Sequence, residues 1–334
     1  MNRILLTGGF GYIGSHTASI LAERKEEFLI YDNFSNARPD IVKRLEKTTN
    51  SIINYVEGDV RDTDKLIKVI KDNNISSVIH FAALKSIEDS VKNPIEYYDV
   101  NVLGTISLLK AMKINGVNKF LFSSSASIYG EPVYLPIDEK HPLNAINPYG
   151  ESKLIVEKIL SDLSLSDNRW SIICLRYFNP IGAHHYGLIG DDPLLGKSKN
   201  LMPSIIKVAK GLTKNVDIYG DDYDTPDGTG VRDYIHVMDL ASAHVKSLSY
   251  LNKFSGLDIF NLGTGKGFSV MELINTFENV TGQSINKKII KRREGDVSCC
   301  FADPSKVNNI LEWETKMNLS EMCKSAWNFS NKIN

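Results

Sequence analysis

The chain has 334 residues, 42% hydrophobic and 24% charged, enough for one large domain and a smaller companion. Its 39 basic and 40 acidic side chains leave a formal net charge of -1, which removes the electrostatic case for nucleic acid or an anionic membrane as the main partner. No charged-then-apolar leader is expected before the first strand, and no apolar stretch approaches the ~20 residues that a membrane span needs.

In chain order, the apolar run Arg3-Ile4-Leu5-Leu6-Thr7 reads as a strand leading into Gly8-Gly9-Phe10-Gly11-Tyr12-Ile13-Gly14. Taken as Gly9-x-Gly11-x-x-Gly14 this is a dinucleotide fingerprint; taken as Gly8, Gly11 and Gly14 it has the spacing of a looser variant. Glycines here permit a tight turn, close backbone approach to a pyrophosphate and close packing of the next helix, expected over 12–25. A second strand, Phe28-Leu29-Ile30-Tyr31, ends in Asp32, eighteen residues after Gly14. A carboxylate there accepts both ribose hydroxyls and repels a 2′-phosphate, which favours NAD over NADP.

Further strands are expected near 52–57, ending at Asp59, and over Ser77–Phe81, running into Ala82-Ala83; Lys119–Phe122 ends in Ser123-Ser124-Ser125, and the last is Trp170–Leu175. Helices are expected near 62–73, as one long element over 94–115, and from Tyr149 onward. Short apolar runs separated by helical periods argue for a parallel, doubly wound sheet, in which ligands sit beyond the carboxyl ends of strands. Asp59, Ala82-Ala83 and Ser123–Ser125 all fall on that edge.

Tyr149-Gly-Glu-Ser-Lys153 carries the chemistry. With Pro148 at the first helical position, Tyr149 and Lys153 share one helix face. A free phenol, with a pKa of ~10, is a poor base at neutral pH, and a cation held beside it favours the phenolate. The pair is therefore expected to make a proton acceptor near pH 7.

Beyond about residue 179 the texture changes. Residues 180–200 and 220–232 are rich in Gly, Asp and Pro, a composition typical of functional or disordered loops. A helix near 237–251 and a strand at Ile259-Phe260-Asn261 are placed to return to the main sheet. The basic cluster Lys287-Lys288 with Lys291-Arg292-Arg293 reads as a solvated face or a holder of an anionic group. His184-His185 lacks a nearby Cys or a His-x-x-x-His partner, so no metal is expected. The four cysteines (Cys174, Cys299, Cys300, Cys323) lack Cys-x-x-Cys spacing, in keeping with a reduced, cytoplasmic protein. The expected fold is α/β: a doubly wound parallel (Rossmann) sheet over 1–178 plus about 236–262, with a smaller mixed α/β C-terminal substrate domain over 179–235 and 263–334.

With these motifs in hand the chain resembles the extended short-chain dehydrogenases acting on nucleotide sugars, and more narrowly the UDP-glucose 4-epimerase (galactose epimerase) family. The likeness lies in Thr7–His16, His80-Phe81-Ala82-Ala83-Leu84-Lys85, Phe122–Ala126, Leu175-Arg176-Tyr177-Phe178-Asn179-Pro180, Gly228–Val237 and Arg292-Arg293-Glu294-Gly295-Asp296. It implies a tightly bound NAD that is not released during turnover, UDP-hexose substrates and a homodimer, with apolar residues of 94–115 and 148–164 available for pairing. By resemblance Gly8, Gly11, Tyr12 and Ile13 meet the NAD diphosphate, Asp32, Asn33, Ser35 and Asn36 the adenosine ribose, and Asp59 and Val60 the adenine. Phe81, Ala82, Ala83 and Lys85 line the ribose and nicotinamide path, with Tyr149, Lys153 and Phe178 nearby. Val100 departs from members with Asn there, leaving only a backbone contact.

The resemblance further assigns Asn179, Asn200, Leu201, Tyr219, Arg232, Arg293 and Asp296 to the UDP moiety, and Lys85, Ser125, Tyr149 and Cys300 to the sugar. Ser125, Tyr149 and Lys153 form the catalytic set. Cys300 stands where members confined to unacetylated sugars often carry Tyr, so room for an acetamido group is expected, and with it activity on UDP-GlcNAc and UDP-GalNAc. Two other classes compete. A dehydratase or decarboxylase on the same scaffold is one, but a 4,6-dehydratase wants an acid pair directly after its Ser/Thr, and Ser125 is followed by Ala126-Ser127. A non-catalytic NAD-binding regulator is the other, and it has no need of both Tyr149 and Lys153.

Overall fold

The computed structural model describes residues 3–195, 200–293 and 295–333. The chain begins with β1 (Arg3–Thr7), α1 (Tyr12–Glu23), β2 (Phe28–Asp32), α2 (Ile41–Thr49), β3 (Tyr55–Glu57), α3 (Thr63–Asp72) and β4 (Ile75–His80). There follow α4 (Ile87–Lys92), α5 (Pro94–Tyr97), α6 (Gly104–Ile114), β5 (Lys119–Ser125), α7 (Pro148–Ser166) and β6 (Ser171–Tyr177). The second half supplies β7 (Asn179–Ile181), α8 (Leu201–Ala209), β8 (Val216–Tyr219), β9 (Val231–Arg232), β10 (Tyr234–His236), α9 (Val237–Leu251) and β11 (Gly256–Leu262). It closes with β12 (Phe268–Ser269), α10 (Val270–Thr281), β13 (Lys287–Ile290), β14 (Cys299–Cys300), α11 (Ser305–Leu311) and α12 (Leu319–Lys332).

Seven strands form one sheet in the order β3-β2-β1-β4-β5-β6-β11. The pairs from β3 through β6 are parallel. Their near-continuous apolar sequences follow from burial on both faces, and Leu5, Val78, Phe120, Phe122, Leu108 and Met112 belong to a single core cluster. The order reverses between β1 and β4, the switch point where such sheets open a crevice.

The expected long helix over 94–115 is not one α-helix. Tyr98–Leu103 winds as a π-helix between α5 and α6. Asn101, in this wider stretch, is buried: its carbonyl accepts from Leu84 N (2.8 Å) and its amide donates to Leu84 O (3.0 Å) and Ser152 Oγ (3.0 Å). Such π turns are frequent at functional sites. The strand expected near 52–57 shortens to Tyr55–Glu57.

Two compact units divide the chain: Met1–Gly130, Leu143–Tyr177 and Ala241–Phe260 in the first, and Glu131–Pro142, Phe178–Leu240 and Asn261–Asn334 in the second. Glu131–Pro142 therefore departs from the boundary expected from sequence. Its cause is backbone pairing, since Ile137 N donates to Phe301 O (2.9 Å) and Asp303 N donates to Ile137 O (2.7 Å). In the second unit β8 pairs with β13, β7 with β10, and β9 lies between β12 and β14. Ile205, Ile206, Leu273, Phe277 and Met322 form its core, and capping boxes at Ser269/Glu272 and Asn318/Glu321 start α10 and α12. The 220–232 loop is ordered by its own bonds, among them Tyr223 N to Gly228 O (3.0 Å) and Thr225 Oγ1 to Thr229 O (2.7 Å). Residues 196–199 of the other expected loop, and Glu294, lie outside the described residues.

Candidate active site

At the end of β1, Gly8 turns the chain with φ +69°. A Cβ on Gly8 would lie 2.5 Å from Ala82 N, so the turn rests directly on the backbone that follows β4. A Cβ on Gly14 would lie 2.5 Å from Gly8 O and 2.7 Å from Gly9 Cα, which sets how closely α1 packs on the turn. Gly11, the N-cap of α1, supplies no side-chain acceptor to the helix. The positive end of the helix dipole therefore faces a cradle of bare backbone, a setting suited to a diphosphate.

Asp32 ends β2 with its carboxylate fixed: Oδ2 accepts from Phe10 N (2.9 Å) and Oδ1 from Phe34 N (2.8 Å). Burial raises its pKa and these two backbone bonds oppose the rise. Asn33, Ser35 and Asn36 beside it are exposed, with Asn33 Oδ1 accepting from Ser35 N (3.1 Å). Asn33 also donates to Asp59 Oδ2 (3.2 Å), and the Arg61 fork grips the same carboxylate through Nε (2.9 Å) and Nη2 (2.7 Å). That grip holds Asp59 at about 2, well below the usual carboxylate range. Val60 is buried, Phe81, Ala82 and Ala83 are half-buried, and Lys85 Nζ stands 5.8 Å from the centre of the Tyr12 ring. The structure thus gathers these residues along the carboxyl edge of β1 to β4.

On the same edge β5 ends in Ser123–Ser125, and α7 starts with Pro148 in its first turn and the Asn147 side chain accepting from Gly150 N (2.8 Å). This cap places Tyr149 in the first turn, where the Ser125 hydroxyl acts on its phenol. Lys153 Nζ donates to Ser123 O (2.8 Å) and lies 4.9 Å from the Phe122 ring centre and 5.9 Å from that of Tyr149. From sequence, Lys153 is expected to lower the Tyr149 phenol. In the protein itself burial dominates both groups: it raises the phenol, opposed by the Ser125 hydroxyl, and pulls Lys153 down to about 7, opposed by Glu157. Desolvation disfavours each charged form.

In the second unit Arg232 on β9 forms an ion pair with Asp296 and donates to its neighbour Val231 O (2.9 Å). Cys300 on β14 pairs in register with Arg232, and burial pushes its thiol up to about 12. Arg293 lies 4.1 Å from the centre of the Tyr219 ring, at the end of β8. Asn200 is the N-cap of α8 and Leu201 its first residue. Phe178 and Asn179 are held by backbone bonds, to Leu262 O (3.1 Å) and Asp233 O (2.9 Å). Phe178 accordingly belongs to the second unit, apart from the other expected cofactor residues in the partition.

A family model described as GDP-mannose 4,6 dehydratase matches residues 5–326. UDP-glucose 4-epimerases from Bifidobacterium longum and Bacillus subtilis are 50% and 47% identical to the chain over 99% of it, and over 97% and 98% of their own lengths. The chain belongs to the UDP-glucose 4-epimerase family. A crystal structure of the Bifidobacterium longum UDP-glucose 4-epimerase in complex with NAD+ and UDP is similar at a TM-score of 0.96 and 46% identity, covering 99% of both chains. Membership of the epimerase family agrees with Ala126-Ser127 after Ser125, where a dehydratase needs acids.

Several further residues in each unit carry no sequence expectation. Arg61 bridges Asp59 and Asp99. Tyr177 shares a short hydrogen bond with His244, whose ring packs 4.9 Å from that of Phe81. Glu157 and Arg176 form a buried ion pair behind Ser124. Tyr223 is buried against Arg292, 4.1 Å from the ring centre. Two of these left a trace in the sequence: Glu157 continues the Tyr149–Lys153 spacing, and Arg176 interrupts an apolar strand.

Proposed function

We propose that the protein interconverts UDP-glucose and UDP-galactose by transient oxidation at C4 of the hexose, with NAD retained through each turnover. The observation that carries this reading is Tyr149 and Lys153 one helical turn apart at the start of α7, with Lys153 bonded to Ser123 O at the end of β5, in a chain related end to end to UDP-glucose 4-epimerases. NAD, when bound, supplies a reversible hydride acceptor for C4. Gly8, Gly11, Tyr12 and Ile13 hold its diphosphate, Asp32, Asn33, Ser35 and Asn36 its adenosine ribose, and Asp59 and Val60 its adenine. Phe81, Ala82, Ala83, Lys85 and Phe178 line the rest of its path.

Tyr149 Oη takes the proton of the 4′-hydroxyl as the C4–H bond breaks, and Ser125 Oγ bonds the same oxygen. Because burial alone raises the phenol, the base depends on positive charge beside it, and Lys153 supplies that charge when protonated. The 4-keto sugar then regains hydrogen on its opposite face while Tyr149 returns the proton to oxygen, so the sugar shows no net oxidation. Such a cycle needs a firmly held nucleotide and few fixed contacts to the hexose. Arg232 and Arg293 answer the diphosphate with charge-assisted bonds, and Asn179, Asn200, Leu201, Tyr219 and Asp296 engage the uridine.

Cys300 leaves space beside the sugar, so UDP-GlcNAc and UDP-GalNAc are substrates as well. A homodimer is supported by apolar side chains that stand in solvent, Ile95 (83% exposed) and Leu165 (82%) among them. Among the described residues no helix is long and apolar enough to cross a membrane; a cytoplasmic place also suits the absence of disulfides among the four cysteines.

The purified protein, given UDP-galactose and no added NAD, is expected to form UDP-glucose. A 6-deoxy-4-keto product or released carbon dioxide would move it to the dehydratase or decarboxylase class. Assayed on both sugar pairs, Cys300→Tyr is expected to lower N-acetyl turnover about tenfold relative to the unacetylated pair; an unchanged ratio would remove the argument from pocket size. Sizing in solution decides the dimer.

A further inference from the structure

Tyr149, Lys153 and Glu157 recur every four residues along one face of α7. Glu157 Oε1 accepts from Ser124 Oγ (2.5 Å) and Arg176 Nε (3.1 Å), and Oε2 accepts from Arg176 Nη2 (2.6 Å). Arg176 Nη1 completes the cluster by donating to the Tyr129 hydroxyl (2.8 Å). Only 2% of the Arg176 side chain and 5% of the Glu157 side chain are exposed. A buried ion pair is a poor source of stability, because well-packed apolar residues of similar volume often serve as well or better. Its presence in this core therefore calls for another reason.

The neighbours supply one. Ser124 lies between Ser123, whose carbonyl receives Lys153, and Ser125, whose hydroxyl acts on the Tyr149 phenol. One carboxylate thus ties the reactive end of β5 to the helix that carries the base. It also acts on Lys153 by charge, opposing the burial that pulls this amine down to about 7. The other groups packed around Lys153 and Glu157 do not duplicate that effect. His80 on β4, pushed to about 3 by burial and by Lys153, is neutral. Burial keeps Tyr177 and Cys174 on β6 protonated, and Tyr97 is raised to about 12. Tyr149 and Tyr129 are phenols, His244 bonds Tyr177, and the Asp258 carboxylate acts on Cys174.

We propose that Glu157, clasped by Arg176 and Ser124, is a positioning residue for the reaction: its buried carboxylate sustains the positive charge of Lys153 and fixes Ser123–Ser125 against α7. The proposal rests on the epimerase reading above. It touches neither substrate nor cofactor and acts through Lys153 and the strand end.

The test is the pH profile of kcat for UDP-galactose, measured on the purified protein and three variants, with bound NAD content and circular dichroism as independent readouts. For Glu157→Gln, the loss of charge is expected to move the alkaline limb, where Lys153 gives up its proton, about one pH unit downward and to lower kcat at pH 7 about tenfold, with KM changed less than about threefold and NAD content unchanged. Glu157→Asp keeps the charge and is expected to restore the limb. Should Glu157→Gln strand the Arg176 cation and fail to fold, the double variant Glu157→Gln/Arg176→Met removes both charges, keeps an apolar filling and is expected to displace the same limb in the same direction by a smaller amount. Folded variants lacking Glu157 whose alkaline limb coincides with that of the parent protein overturn the proposal. A folded, NAD-bearing parent protein that turns over no UDP-hexose overturns the epimerase reading and the proposal with it.

Discussion

In the first unit the candidate binding surface is mostly backbone at the ends of regular parallel strands, whereas in the second it is long side chains carried by two-residue strands and loops. Gly8, Gly14 and Ala82 are brought within contact distance by main-chain geometry alone, and a single added methyl group would collide with peptide atoms. Arg232 and Cys300 sit instead on β9 and β14, which are two residues long, and Asp296 and Arg293 on the loop before β14. Their arrangement depends on an ion pair and on an arginine resting over Tyr219. Surfaces made of backbone have little to reorganise when they bind, while surfaces made of arginines must surrender one partner to take another. The first unit is therefore expected to respond to mutation in an all-or-none manner and the second by degrees.

The largest expected effect tests the first half of that contrast. Tyr149→Phe removes the phenol hydroxyl and should lower turnover at least ~10²-fold, consistent with a lost general base, while leaving NAD content and melting temperature close to those of the parent protein. Near-parental turnover would defeat the assignment of Tyr149. Next comes Gly8→Ala. At φ +69°, with a Cβ 2.5 Å from Ala82 N and 2.9 Å from Phe81 C, the variant should lose about 1–3 kcal/mol of stability and most of its bound NAD. Urea unfolding together with NAD content after purification measures both. A variant that unfolds at the parental midpoint with full NAD would mean that the turn is softer than its geometry implies.

The same contrast governs what could be read from the sequence. Strand, glycine turn, helix and acid occur within the first 32 residues at spacings set by local geometry, so the cradle and Asp32 were legible before any coordinates. The start of α7 was legible too, because Pro148 marks a first turn and fixes which face Tyr149 and Lys153 share. The charge state of that pair was not. Four-residue spacing announces proximity but carries no measure of burial, and burial is what raises Tyr149 and lowers Lys153. Long-range pairing was hidden for a similar reason. Nothing local to Ile137 signals its bonds to Phe301 and Asp303, so the sequence alone groups Glu131–Pro142 with the first unit, whereas contacts group it with the second. The π-helical turn at Tyr98–Leu103 escaped because the apolar period of 94–115 continues through it. In the second unit, Arg232, Arg293 and Asp296 stand out by family resemblance rather than by a spacing rule, and no local signal marks Tyr223.

A smaller, graded effect is expected in the second unit. Arg232→Lys keeps a positive charge on β9 but loses the planar fork, so UDP affinity measured by calorimetry should fall about tenfold while kcat at saturating substrate changes far less. An equal fall in kcat would show that Arg232 acts in the transition state as well as in holding the nucleotide. Loss of all binding would erase the distinction between the two surfaces, since it would make the arginine as indispensable as the glycine turn.

The smallest effect lies in the one place where the first unit does rely on paired charge. The Arg61 fork lowers Asp59 from its ordinary value to about 2. A carboxylate whose folded pKa is depressed contributes stability that is fully present above its unfolded value, near 4, and is lost as the pH falls through about 2. With 41% of the Arg61 side chain and 31% of the Asp59 side chain exposed, solvent screening should hold that contribution below ~1 kcal/mol. The unfolding free energy of the parent protein minus that of Asp59→Asn should then be small at pH 6 and shrink further by pH 2.5, and 0.5 M salt should diminish it at pH 6. A difference independent of both pH and salt would mean that Asp59 acts through hydrogen-bond geometry, as Asp32 does with the amides of Phe10 and Phe34. The edge of the first unit would then be a fixed backbone scaffold throughout, with graded electrostatics confined to the second.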